Sequence, residues 1–114
     1  MRARERERVE RHAASALAEV APPLRLLVGW TLQAWPHDDM YGEAFTFGKH
    51  AVIVLDEVRF QDASPEERED IMRHELAHVV AWHWHGHEIA DHGPEYQRAR
   101  RAIDRALDEE LDAT

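Results

Sequence analysis

The feature that most constrains this chain is a stretch of sequence, residues 71–84, that is apolar nearly all the way round an α-helix. A helix with apolar residues on every side is a buried one. The polar residues His74, Glu75 and His78 lie in the middle of the stretch. Because buried polar side chains need partners, the stretch predicts both a core helix and a site within it. The apolar residues are Ile71, Met72, Leu76, Ala77, Val79, Val80, Ala81, Trp82 and Trp84.

Start and stop signals bound this helix. Ser64 suits the N-cap position, Pro65 suits the first helical position, and Glu67 is placed to close a capping box. Gly86 follows the last apolar residues and is typical of a helix end. The sequence therefore predicts a long helix that begins after Ser64 and ends at Gly86.

The polar residues of this helix form the pattern His-Glu-x-x-His. Side chains at i and i+4 lie on one helix face with Cβ atoms about 5–6 Å apart, so His74 and His78 can bind one cation at about 2.0–2.1 Å per Zn–N bond. The carboxylate of Glu75 can then hold and deprotonate a water beside that cation. In a chain this rich in His and Glu the pattern arises by chance roughly one time in twelve, so the buried helix around it supports the metal-site interpretation.

A third ligand is expected downstream. The metzincin positions for Gly and a third His are occupied by Ala81 and Trp84, so that pattern is absent. The later segment 91–96, Asp-His-Gly-Pro-Glu-Tyr, resembles the SprT-like family, which includes the Spartan proteases and pairs a His-Glu-x-x-His helix with a His-Gly-x-x-aromatic segment. The resemblance is close at these two motifs and looser over about residues 41–107. It implies that His74, His78 and His92 are zinc ligands and that Glu75 is the catalytic base.

The resemblance further implies a zinc metallopeptidase that hydrolyses peptide bonds in protein substrates, bound as extended chain along an edge strand. Tyr96 matches the aromatic position of the family, where we expect a packing role. The residue that stabilises the oxyanion is not identifiable from the sequence. Tyr41 and the histidines near the end of the long helix, His83, His85 and His87, remain candidates. For these histidines, a role as cations near a helix C-terminus is favoured over binding a metal at the rim.

Two other functions stay open. One is a regulatory protease of the ImmA/IrrE type, although the acidic segment usual after its motif is not evident here. The other is a zinc-stabilised structural or interaction module, for example in a viral or phage assembly, with catalysis lost or incidental. The presence of Glu75 argues against the structural module, because a purely structural site does not need that carboxylate.

Length and composition restrict the class of protein that carries this site. The length predicts one domain, residues 1–114, with one modest core. There is no cysteine, which excludes disulfides, a catalytic thiol and a Cys-type zinc ribbon. No run is long enough to span a membrane and no signal-peptide pattern opens the sequence, so we expect a cytoplasmic protein. The formal net charge of −9 argues against a surface that coats nucleic acid, and we expect DNA to bind only weakly or through a partner protein.

The rest of the sequence predicts an α+β fold: an N-terminal helix, a small sheet of about three strands, then the His-Glu-x-x-His helix and a C-terminal helix, as in a minimal zincin-like metallopeptidase. Residues 2–20 form a charged helix with a narrow apolar edge, ended by Pro22-Pro23. Pro94 opens the last helix. We expect Ala14, Leu17 and Val20 on the first helix's apolar edge, and Tyr96, Ala99, Ile103, Ala106 and Leu107 on the inner face of the last.

Three strands are expected between the helices. The alternation of Leu26, Val28, Trp30 and Leu32 predicts a strand over residues 24–35. Residues 44–47 and 51–55 flank a three-residue hairpin loop, 48–50. The continuous apolar run 51–55 predicts a strand buried on both faces, and residues 56–60 fit either a continued strand or a short helical turn. His37 and His50 are expected in turns, as solvated surface residues.

Overall fold

The computed structural model describes residues 1–32 and 42–112, and side chains as far as residue 109. The order of elements confirms the predicted α+β fold, with one short additional helix. Among the described residues, no helix is both long and apolar enough to cross a membrane. The elements are α1 (Ala3–Val20), β1 (Arg25–Thr31), β2 (Gly42–Phe47), β3 (His50–Asp56), α2 (Glu57–Asp62), α3 (Pro65–His85) and α4 (Pro94–Asp112).

The three strands form one mixed sheet in the order β1-β3-β2. Strand β3 is central, parallel to β1 and antiparallel to β2. The hairpin is tighter than predicted: Phe47 pairs with His50, so the loop contains only Gly48 and Lys49, and His50 opens β3 instead of lying in the turn. Gly48 has φ of 59°, which glycine adopts at little cost.

Strand β1 is shorter than the predicted strand. It begins at Arg25 and ends at Thr31, and residues 33–35 lie outside the described residues. Leu26, Val28 and Trp30 lie in the strand, as the alternation predicted, and pack against the core. Leu32 follows the end of the strand and is 73% exposed, so its predicted place in the strand is wrong.

The prediction that the central strand is buried on both faces is also wrong. Ala51, Ile53 and Leu55 are fully buried on the face that the helices cover, whereas Val52 and Val54, between them, are only half-buried. Val52 lies between Leu27 and Phe45 of the neighbouring strands, and both of these are partly exposed. The apolar run therefore reflects the central place of β3 in the sheet and the shielding by its neighbours on both sides.

The helices before α3 hold the sheet in place. Helix α1 buries Ala13, Ala16 and Leu17, while Ala14 is exposed and Val20 is half-buried, so the apolar edge is rotated from the predicted one. Trp30 Nε1 donates to the Glu10 carboxylate at 2.8 Å and ties α1 to β1. The ambiguous segment after β3 is the short helix α2, whose N-cap Asp56 accepts from the Arg59 backbone N–H at 3.1 Å.

Helices α3 and α4 pack against each other and carry the site. The Ser64 hydroxyl accepts from the Glu67 backbone N–H at 3.1 Å, as the N-cap prediction required. The predicted inner face of α4 is buried in full: Tyr96, Ala99, Ile103, Ala106 and Leu107 are at most 4% exposed.

Two acidic residues of α4 form ion pairs with α3. Arg73 donates to the carboxylates of Asp104 at 2.9 Å and Asp108 at 3.0 Å. On helix α4, Arg98, Arg101 and Arg105 are exposed.

Candidate metal centre

Three histidine side chains from two segments of the chain meet at one point. His74 and His78 come from α3, and His92 comes from the loop before α4. Their candidate ligand atoms all lie within 4.8 Å of one another. His74 and His78 are half-buried and His92 is exposed, so the cluster opens to solvent on the side of His92.

The spacing of the ring nitrogens fits a metal ion. Nε2 of His74 lies 3.2 Å from Nε2 of His78 and 3.4 Å from Nε2 of His92. Tetrahedral coordination with bonds of 2.0–2.1 Å places two ligand nitrogens about 3.3–3.4 Å apart. Three imidazoles that open to solvent on one side can hold a metal ion and leave one coordination position free. The three histidines therefore have a spacing that fits a bound metal ion.

Local backbone features bring His92 to the helix. Helix α3 ends at His85. The next residue, Gly86, has φ of 81°, in the region that favours glycine, and the chain turns back there. At the other end of the loop, a Cβ on Gly93 would come within 3.0 Å of Ala90 Cβ, so glycine allows a close turn. The Gln97 N–H then donates to the Gly93 carbonyl at 3.0 Å and starts α4, with His92 just before it.

The environment keeps the α3 histidines neutral. Burial, together with the neighbouring imidazoles, lowers the pKa of His78 to about 4. Burial also lowers the pKa of His74, with His92 adding to the effect. Because metal binds only the neutral imidazole, both side chains are ready to act as ligands at neutral pH.

Glu75 is the buried carboxyl of the site. It is 8% exposed, and its pKa rises from an ordinary value of 4.5 to about 7, chiefly because burial disfavours the charge and secondly because Glu43 on β2 is near. A carboxyl with a pKa near neutrality is suited to exchange protons during a reaction. The sequence identified this residue from its place in the motif, and the structure adds its environment.

Tyr96 contacts the histidine cluster with both its ring and its hydroxyl. Its ring contacts the rings of all three histidines, with centroids 4.8–5.5 Å apart, and its hydroxyl lies 3.0 Å from Nδ1 of His74. The positive charge of the Arg100 guanidinium acts on this hydroxyl. The sequence contained one signal for this polar contact. The segment His-Gly-Pro-Glu-Tyr ends in a tyrosine, which carries a hydroxyl, instead of an apolar aromatic residue.

The histidines at the end of α3 take no part in the cluster. His83 and His85 are exposed in the last turn of α3. His87 lies 2.7 Å from the Thr46 hydroxyl on β2, and its ring stacks on Trp82, which stacks on His78. The Trp82 indole thus lies between His87 and the histidine cluster. Tyr41 and His37 lie outside the described residues.

Comparison with protein families agrees with this geometry. A family model, the SprT-like family, matches residues 3–114. The chain belongs to the SprT-like family. The match covers both α3 with its His-Glu-x-x-His pattern and the segment that carries His92. Members of this family have a metallopeptidase-like fold and depend on a metal. Neither the curated proteins nor the solved structures contain a match to this chain.

Proposed function

We propose that this SprT-like protein is a zinc-dependent metallopeptidase that hydrolyses peptide bonds in protein substrates. The observation that carries the proposal is the convergence of three histidines, with Nε2 of His74 at 3.2 Å and 3.4 Å from Nε2 of the other two, next to a buried carboxyl, Glu75. In this account His74, His78 and His92 hold the zinc. When bound, zinc would supply Lewis-acid chemistry that acidifies a water and polarises a carbonyl.

Glu75 moves the protons of the reaction. It takes a proton from the attacking water, whose oxygen forms the new bond to the carbonyl carbon. It then delivers that proton to the amine nitrogen as the C–N bond breaks. The products are a carboxylic acid and an amine, so the atoms of one water molecule are accounted for. The raised pKa of Glu75 supports both steps, since the group must accept and release a proton within one cycle.

Strand β2 is the element that we propose for substrate binding. It lies at the edge of the sheet, and its Thr46 contacts His87 beside the histidine cluster. Pairing of an extended peptide with an edge strand uses main-chain hydrogen bonds and selects little for sequence. Protein segments without stable structure are therefore the proposed substrates.

The test is cleavage of casein, an unstructured protein, by the zinc-loaded wild type and by Glu75→Gln. The variant should keep zinc, because Glu75 is not a ligand, and should lose activity by about 10²–10⁴-fold. Glu88→Gln, which changes an exposed glutamate in the loop between α3 and α4, is the matched control and should retain activity. Equal, slow cleavage by the wild type and Glu75→Gln would refute the peptidase and favour a zinc-stabilised structural module.

DNA is proposed to bind weakly or only through a partner protein. Each basic segment, residues 1–12 and 93–105, carries only a small excess of arginine within a chain of formal net charge −9. Binding to phosphates gains affinity from each cationic contact, and a net negative surface repels the polymer. A fluorescence-anisotropy titration with single-stranded DNA at near-physiological salt should show no micromolar binding. Micromolar affinity that falls steeply with salt would contradict the charge argument.

A further inference from the structure

Tyr96 and Arg100 lie near His74, on the side of its imidazole ring that faces away from the histidine cluster. The cluster is formed by Nε2 of His74, whereas the Tyr96 hydroxyl lies 3.0 Å from Nδ1, the other ring nitrogen. Tyr96 itself is 4% exposed. Its hydroxyl thus lies in the interior of the protein, beside the His74 ring nitrogen that does not face the histidine cluster.

Arg100 is in turn held by two carboxylates. Its guanidinium donates to Asp70 at 2.7 Å and to Asp104 at 3.0 Å, and its positive charge acts on the Tyr96 hydroxyl. Asp104 is shared with Arg73 of α3. Arg100, one helical turn after Tyr96, is therefore fixed by the ion pairs that join α3 and α4.

The direction of the hydrogen bond between Tyr96 and His74 follows from the chemistry of the groups. A neutral imidazole carries one N–H, and a histidine that binds metal through Nε2 must carry its proton on Nδ1. That Nδ1–H needs an acceptor, and the Tyr96 oxygen is at hydrogen-bonding distance.

We propose that Tyr96 is a positioning residue whose hydroxyl oxygen accepts the Nδ1–H of His74 and so leaves the Nε2 lone pair directed at the metal, with the positive charge of Arg100 acting on that hydroxyl. The inference rests on the proposed function, because it takes the cluster to hold zinc. The same geometry argues against Tyr96 as the group that stabilises the oxyanion, since its hydroxyl lies behind His74 and not on the side of the Nε2 atoms.

The experiment compares the wild type, Tyr96→Phe and Arg100→Gln in two measurements. In the zinc-free proteins, ¹⁵N NMR of the His74 ring reports which nitrogen carries the proton. In the zinc-loaded proteins, competition with a chromophoric chelator gives the zinc dissociation constant. Tyr96→Phe keeps the packed ring and removes only the hydroxyl. Arg98→Gln, an exposed arginine on the same helix, is the control for loss of one positive charge.

We expect wild-type His74 to carry its proton on Nδ1 and Tyr96→Phe to shift population toward the Nε2–H form. Zinc should bind about 10–100-fold more weakly to Tyr96→Phe, as is usual when a partner of a metal-bound histidine is lost. Arg100→Gln should shift both quantities in the same direction by a smaller factor, and Arg98→Gln should shift neither.

Two results would overturn the inference: an Nε2–H proton on His74 in the wild type, or unchanged zinc affinity and tautomer in Tyr96→Phe. If the wild type binds no zinc, the proposed function fails, and the NMR measurement on the zinc-free protein still decides the role of Tyr96.

Discussion

Glu75→Gln should stabilise the zinc-free protein, and the gain should depend on pH. Glu75 is buried beside the histidine cluster, and burial together with Glu43 raises its pKa from 4.5 to about 7. An ionised carboxylate in that position therefore destabilises the folded state. Glutamine has nearly the same shape and carries no charge, so the substitution removes the cost and leaves the packing in place.

The magnitude follows from the pKa values. Below pH 4.5 the carboxyl is protonated in both the folded and the unfolded chain, and it has no effect on the free energy of unfolding. Between pH 4.5 and 7 the unfolded chain releases the proton while the folded chain retains it, so wild-type stability falls by about 1.4 kcal/mol per pH unit. Above pH 7 both states are ionised, and the deficit is constant at about 3 kcal/mol.

The assay is urea unfolding followed by tryptophan fluorescence, from pH 4 to pH 8, on proteins stripped of metal by dialysis against a chelator. Glu75→Gln should match the wild type at pH 4 and exceed it by about 3 kcal/mol at pH 8, with a melting temperature higher by on the order of 10 °C. Glu88→Gln, at an exposed position, should show no such trend. A difference between wild type and Glu75→Gln that does not change with pH, or a wild type that is the more stable at pH 8, would refute the reasoning.

Two further predictions concern the frame around the site. Asp104→Asn should lower stability at neutral pH by about 1 kcal/mol or less after solvent screening. Burial opposes the Asp104 charge, but hydrogen bonds from Arg73 and Arg100 outweigh it and lower the pKa of this carboxyl, so the effect should fade as acid protonates it in urea titrations below about pH 4. Gly86→Ala should cost about 1–3 kcal/mol in thermal unfolding, because φ of 81° and ψ of −179° are strained for any side chain. Gly29→Ala, where a Cβ has ordinary room, should cost nothing; equal costs would contradict the strain argument.

The sequence predicted those parts of the site that depend on local spacing. The i,i+4 pair, His74 and His78, required only that residues 65–85 form a helix, and the cap at Ser64 indicated where the helix begins. His92 was different, because no spacing rule brings a loop residue back to a helix it has left. Its assignment came from the resemblance to the SprT-like family, and the structure places it in the cluster.

The parts that the sequence did not predict depend on how elements face one another. Periodicity gave α1 an apolar edge, but its rotation is set by docking, so Ala13 and Ala16 are buried and Ala14 is exposed. Periodicity also could not distinguish a central strand that is buried on one face from a central strand that is buried on both faces. The role of Tyr96 depends on the packing of α4 against α3, which brings its hydroxyl to Nδ1 of His74.

The most direct test of the central claim is the zinc content of single variants, measured by elemental analysis after dialysis. The wild type should hold one zinc per chain, Glu75→Gln should hold the same amount, and His74→Ala, His78→Ala and His92→Ala should each lose it. His87→Ala should retain the zinc, because Trp82 separates that ring from the cluster. Full retention of zinc by His92→Ala, together with its loss from His87→Ala, would contradict the three-histidine site.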